Sequence, residues 1–203
     1  MSLLNTLFPR LGDFEESEVP TWENPDRPWE IINEEMGLLI PQILEKSVDG
    51  NGIFIHQDAN VGDFVRIEGP CYIGKGAEIR HSAYIREGSW ICEGALVGHS
   101  TEIKGSILLP GAKAPHFNYV GNSIIGVGAN LGAGVITANM RNDKGNVFLR
   151  FSGSRVDTGT RKMGAMVGDG VSVGCNSVLN PGSIIFPDSS FPPGSIISGI
   201  TNS

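Results

Sequence analysis

The chain has 203 residues, room for one or two domains, and a formal net charge of −7. That acidity excludes a nonspecific nucleic-acid surface, although a local group of cations still suits a small anion. Three cysteines with no Cys-x-x-Cys pair fit a reduced, cytoplasmic chain, and neither a signal peptide nor an apolar membrane span is visible. Residues 1–27 are acidic and proline-punctuated (Asp13, Glu15, Glu16, Glu18, Pro20, Pro25) and read as an extended arm that packs on something or stays mobile. Pro28 suits a helix start, and Trp29, Ile32, Met36, Leu39, Ile40 and Ile43 give an apolar stripe over 28–46. Gly37 and Pro41 interrupt it, so two short helices are as good a reading as one. Residues 1–50 are therefore expected to form an arm and a helical cap.

From Ile55 every sixth residue is aliphatic: Ile55, Val61, Ile67, Ile73, Ile79, Ile85, Ile91, Val97, Ile103, Leu109. The phase returns at Ile125 and Leu131, and again at Val167, Val173, Leu179, Ile185 and Phe191. Neither a helix nor a simple amphipathic strand repeats every six residues. A hexapeptide parallel β-helix does, with three hexads making one triangular coil. Many of the 28 glycines fit its tight corners. Residues eighteen apart then become neighbours about 4.8 Å apart. The expected fold is a mainly β, left-handed parallel β-helix over 51–203; the handedness comes from the motif. Inserted loops are expected near 110–123 and 138–166, where the period breaks. The N-terminal helix is expected to cover an open sheet edge, and the flat faces to self-associate as a homotrimer.

Arg86 and Lys104 are eighteen apart and each follows an inward aliphatic residue, so they should stack on one edge. Two stacked cations repel unless an anion joins them. A phosphate site and a solvated edge are both open readings. His116 and Tyr119 lie in the first break. A histidine beside cations is kept neutral, as a general base must be; the plainer reading is a surface histidine. Asn130 and Asn139 follow, either as ligands or as left-handed corner residues. Arg161 and Lys162 suit a cofactor phosphate or a solvated pair. His81 and His99 are also in phase, which raises a metal, but no His-x4-His pair accompanies them and no metal site is expected.

From about Ile85 to Gly182 the chain resembles the C-terminal acetyltransferase domain of the bacterial bifunctional N-acetylglucosamine-1-phosphate uridyltransferase / glucosamine-1-phosphate acetyltransferase. Ala112-Lys-Ala-Pro-His116-Phe-Asn-Tyr119 is similar to its Lys-Ala-Gly-His-x-x-Tyr motif. Asn130-Leu-Gly-Ala-Gly-Val-Ile-Thr-Ala-Asn139 is similar to its sugar-binding segment. The resemblance implies acetyl-CoA as co-substrate and an amino-sugar phosphate or sugar nucleotide as acceptor. It assigns His116 as general base, Arg86 and Lys104 to the phosphate, and Tyr119, Asn130 and Asn139 to the sugar. Acetyl-CoA would lie between adjacent subunits, its thioester oxygen held near Ala133 or Cys175. Three departures stand out. Asn139-Met-Arg-Asn replaces that family's Asn-Tyr-Asp-Gly, Cys175 falls near a serine that positions the acetyl group, and no uridyltransferase half is present. Two other functions stay open: a non-catalytic sugar-phosphate sensor or a scaffold for a separate nucleotidyltransferase, and a metal-dependent hydratase built on His81 and His99.

Overall fold

The aliphatic ladder becomes the core of a parallel β-helix in the computed structural model, which describes residues 1–15, 18–34, 37–47, 52–151 and 154–201. Glu16 of the acidic arm, Met36 of the apolar stripe and Asn51 at the start of the repeats lie outside the described residues. Strands of two to four residues stack into one eight-stranded and two seven-stranded parallel sheets, the three faces of a prism. Ile73, Ile79, Ile85, Ile91, Val97 and Ile103 point inward and are fully buried or nearly so. Burying each such side chain is worth about 1.5–3 kcal/mol relative to exposure, which is how strands this short are held.

Ile85 pairs with Ile103, so the coil there is eighteen residues long. Beyond it the coil shortens: Leu108 pairs with Ile91, Ala114 with Val97 and Val120 with Ile103, seventeen residues each. Leu108, not Leu109, therefore continues the inward ladder. Leu109 faces outward into a second apolar cluster. The expected loop near 110–123 is not a loop. Strands Lys113–His116 and Tyr119–Gly121 run through it, and the broken period marks one residue dropped per coil. Between Thr137 and Ala165 the chain leaves the prism, and Phe148–Phe151 pairs antiparallel with Ser154–Asp157.

The arm is not extended. It opens with a helix, Leu3–Leu7, capped by Ser2, whose hydroxyl accepts the Asn5 N–H at 3.2 Å. A 3₁₀ turn over Leu11–Asp13 follows, then two short helices over the apolar stripe, a 3₁₀ turn at Pro28–Ile32 and an α-helix at Leu39–Lys46. Leu7, Phe8, Trp29, Ile32, Leu39 and Ile43 pack on Tyr72, Trp90, Ile107, Ile124 and Met166, the outward residues of the eight-stranded sheet. The helical part thus covers a face of the prism along its length. The first coil remains open, with Ile55 42% and Phe64 89% exposed. Buried Asp169 ties the arm down by accepting the Arg10 N–H at 2.8 Å and the Val127 N–H at 2.7 Å.

Candidate functional site

The coil register sorts Arg86, Lys104 and Asn139 onto one edge of a face and His116, Ala133 and Cys175 onto the other. Arg86 and Lys104 stack one coil apart, as expected. In the next coils of the same edge come Asn122 and Asn139, and Asn139 donates to the Asn122 side-chain oxygen at 2.7 Å. Tyr119 lies on the adjoining face, in register with Glu102, and its ring and hydroxyl lean over Gly121 beside the Asn139 amide. Burial pushes the Tyr119 phenol up, so it is protonated at neutral pH. Lys162 enters from the inserted segment, held by the antiparallel bridge of Met140 with Lys162. Arg161 is exposed beside it, and both line a cavity of about 230 Å³.

Glu34, from the N-terminal segment, sits at the centre of this corner. One carboxylate oxygen accepts from the buried Lys104 ammonium and from Asn122 Nδ2 at 3.2 Å. The other accepts from Lys162 Nζ at 3.0 Å. Burial works against the carboxylate, but the hydrogen bonds from Lys104, Lys162 and Asn122 outweigh it and hold the pKa at about 2. Arg86 is paired as well, to Glu102 at 3.0 Å, and stacks 5.6 Å over Tyr84. Its Nε is buried without a hydrogen-bond partner among the described residues. Sequence reasoning missed Glu34 and Asn122. Asn122 had a signal, since Asn139 follows it by one seventeen-residue coil. Glu34 had none, being seventy residues from the lysine it meets.

His116 is not in a loop and not beside the cations. It ends the strand Lys113–His116 on the opposite edge of the face, in register with His99. His99 in turn stacks on His81, with ring centroids 4.2 Å apart. The paired rings lie face to face, so their nitrogens do not converge. Among the described residues no group of three or more His, Cys, Asp or Glu is placed to hold a metal. Ala133 and Cys175 continue the His116 edge: Gly134 N–H donates to the His116 carbonyl, and Asn176 N–H to the Ala133 carbonyl at 2.8 Å. Asn130 projects from another sheet, in register with Lys113 and Ser172, so it does not join Tyr119 and Asn139. The expected site is thus two clusters, a lysine-and-asparagine corner filled by Glu34 and a histidine edge, separated by one face.

The chain is 36% identical over 195 residues to a bifunctional sugar-1-phosphate nucleotidylyltransferase/acetyltransferase of Sulfurisphaera tokodaii, covering 87% of this chain and 46% of that one. It is 40% identical over 168 residues to the bifunctional protein GlmU of Methanococcus vannielii, covering 79% and 40%. The chain therefore spans less than half the length of these relatives. Among solved structures, PerB of Caulobacter crescentus, determined with CoA and GDP-perosamine, aligns over 72% of this chain and 53% of that one, at 19% identity and a TM-score of 0.38. The two-part proteins are of the kind the motifs resembled. Residues 67–190 match the GMPPB C-terminal domain, and the chain belongs to that family of hexapeptide-repeat domains.

Proposed function

We propose that the chain is an acetyl-CoA-dependent acetyltransferase acting on an amino-sugar phosphate or sugar nucleotide. The observation that carries this reading is the corner where Lys104, Lys162 and Asn122 hold the Glu34 carboxylate, with Asn139 bonded to Asn122 and Tyr119 beside Asn139. A corner that binds a carboxylate through two ammonium groups and an amide also suits a phosphate. The substrate anion takes the place of Glu34, with the Arg86 guanidinium one coil below Lys104 on the same edge. Tyr119 and Asn139 hold the sugar hydroxyls. The name of the Sulfurisphaera tokodaii relative, which sets a sugar-1-phosphate nucleotidylyltransferase beside an acetyltransferase, is in keeping with that acceptor class.

His116 takes the proton from the attacking amine as the new C–N bond forms and the thioester C–S bond breaks, and CoA leaves as its thiol. No covalent intermediate on the protein is needed. The thioester oxygen is held by backbone N–H groups near Ala133 and Cys175, on the same edge as His116. The acyl donor lies between subunits of a homotrimer. The exposed apolar side chains of Ile136 and Ile196, on the face beside Tyr119, support association through that face. The test is release of free CoA from acetyl-CoA on adding glucosamine 1-phosphate and related amino sugars. His116→Ala should lose at least a hundredfold in turnover with the oligomer intact, and near-normal turnover in that variant removes the assignment.

The separation of the histidine edge from the sugar corner favours a second reading, a sugar-phosphate-binding module that transfers nothing. It predicts sugar-phosphate binding without acetyl-CoA binding, or co-purification with a separate nucleotidyltransferase.

A further inference from the structure

Where the chain leaves the prism, a cleft of about 1070 Å³ opens between the antiparallel ribbon and the last two coils. That size is at the upper end of the range for small-molecule sites. Its walls are Ala138 and Met140 on one side, Asn180–Gly182 and Ser198–Ile200 on the floor, and the ribbon above. Met140 also lines the cavity at Glu34 and Lys162, so the cleft lies next to that corner.

The ribbon buries one face and turns the other to the cleft. Leu149 and Val156 pair across it and pack into the outer apolar cluster. Phe148, Arg150 and Arg155 line the cleft. Arg150 and Arg155 are direct cross-strand partners. Like charges opposite one another weaken a strand pair, so this pairing disfavours the free ribbon and an anion between the guanidinium groups relieves it. The Arg155 guanidinium also covers the Phe148 ring at 3.6 Å. Arg141, a third cation on the cleft, is neutralised by Asp143, the one carboxylate in the lining among the described residues. Among the described residues neither Arg150 nor Arg155 has an acidic partner. The contrast with the neighbouring corner is direct, since Arg86, Lys104 and Lys162 there all carry carboxylates. In a chain of net charge −7 this is a concave site with two uncompensated guanidinium groups and an aromatic ring.

We propose that the cleft binds a nucleoside diphosphate group, with Arg150 and Arg155 on the phosphates and the Phe148 side of the ribbon on the base. Guanidinium forks match phosphate oxygens in pairs, and aromatic and guanidinium planes both stack on a base. Two ligands of the proposed reaction carry such a group, a sugar nucleotide acceptor and CoA itself. In either case the proposal deepens the acetyltransferase reading by giving the reacting molecule a second anchor next to the sugar corner.

The test is calorimetric titration of the full chain with UDP, with CoA and with glucosamine 1-phosphate, for the parent protein and for Arg150→Gln/Arg155→Gln. Both arginines are exposed, and an unchanged melting curve confirms that the variant folds. UDP or CoA should bind the parent and weaken about a hundredfold in the double variant, roughly tenfold for each charge-assisted contact removed. Arg150→Glu alone should weaken it at least as much as Arg150→Gln. Weakening of UDP with CoA unchanged assigns the cleft to the acceptor nucleotide, and the reverse assigns it to the acyl donor. Dissociation constants within twofold of the parent for both ligands, or no binding of either, overturn the proposal. If the arginine dependence holds but no amino sugar releases CoA from acetyl-CoA, the cleft stands and the acetyltransferase reading falls.

Discussion

Replacing Glu34 by alanine strips the counter-charge from two ammonium groups at once. Its pKa falls from 4.5 to about 2, which at 1.36 kcal/mol per unit is about 3.4 kcal/mol for a fully shielded group. The Glu34 side chain is 40% exposed, so solvent screening reduces this to about 1–1.5 kcal/mol. A carboxylate whose folded pKa is depressed stabilises above its unfolded value and loses that contribution as pH falls toward the folded one. The gap between parent and Glu34→Ala should therefore be complete at pH 7. It should shrink below pH 4.5 and fall to less than about half at pH 3. Urea unfolding at pH 7 and pH 3 reads it directly, and thermal melting at pH 7 should show a loss of about 3–5 °C. At the same time the freed Lys104 and Lys162 should bind inorganic phosphate about tenfold more tightly. A gap of equal size at both pH values, or no gap with unchanged phosphate binding, would refute the placement of Glu34 as the anion in this corner.

Three further outcomes follow from the packing. Gly98→Ala drives a Cβ into the Pro115 carbonyl, between the adjacent coils that carry His99 and His116, and should cost more than about 4 kcal/mol by denaturant unfolding. Under native conditions a thiol reagent should modify Cys175 alone, because it is exposed. Cys71 and Cys92 are buried, and burial pushes Cys71 up to about 12, so all three should react only in denaturant, as mass spectrometry will read. Asp169→Ala removes the acceptor for the Arg10 and Val127 N–H groups and should cost about 1–3 kcal/mol while exposing the Leu3–Leu7 helix to proteolysis.

Ladder positions such as Ile73, Ile85 and Ile103 were readable from the sequence because a coil repeats one local rule: an inward aliphatic residue every six positions and a turn between. The same rule places Arg86 over Lys104, since stacking in a solenoid is a count along the chain. The count failed where the rule changed. A five-residue hexad near Gly105 moved the ladder from Leu109 to Leu108 and turned an apparent loop into the strands Lys113–His116 and Tyr119–Gly121. Phase also said nothing of which edge faces which, so His116 was expected beside cations that lie across a face from it.

The sequence by itself determined the parallel coils, their three-sided section and the stacking of residues one coil apart, because each of those depends on contacts between neighbouring repeats. Only the tertiary structure decided where the N-terminal segment lies, that Glu34 fills the corner of Lys104, Asn122 and Lys162, and that Arg150 and Arg155 open onto a cleft beside it. Those contacts join segments with no shared period, and their partners are chosen by the shape and charge of surfaces that exist only once the coils have stacked.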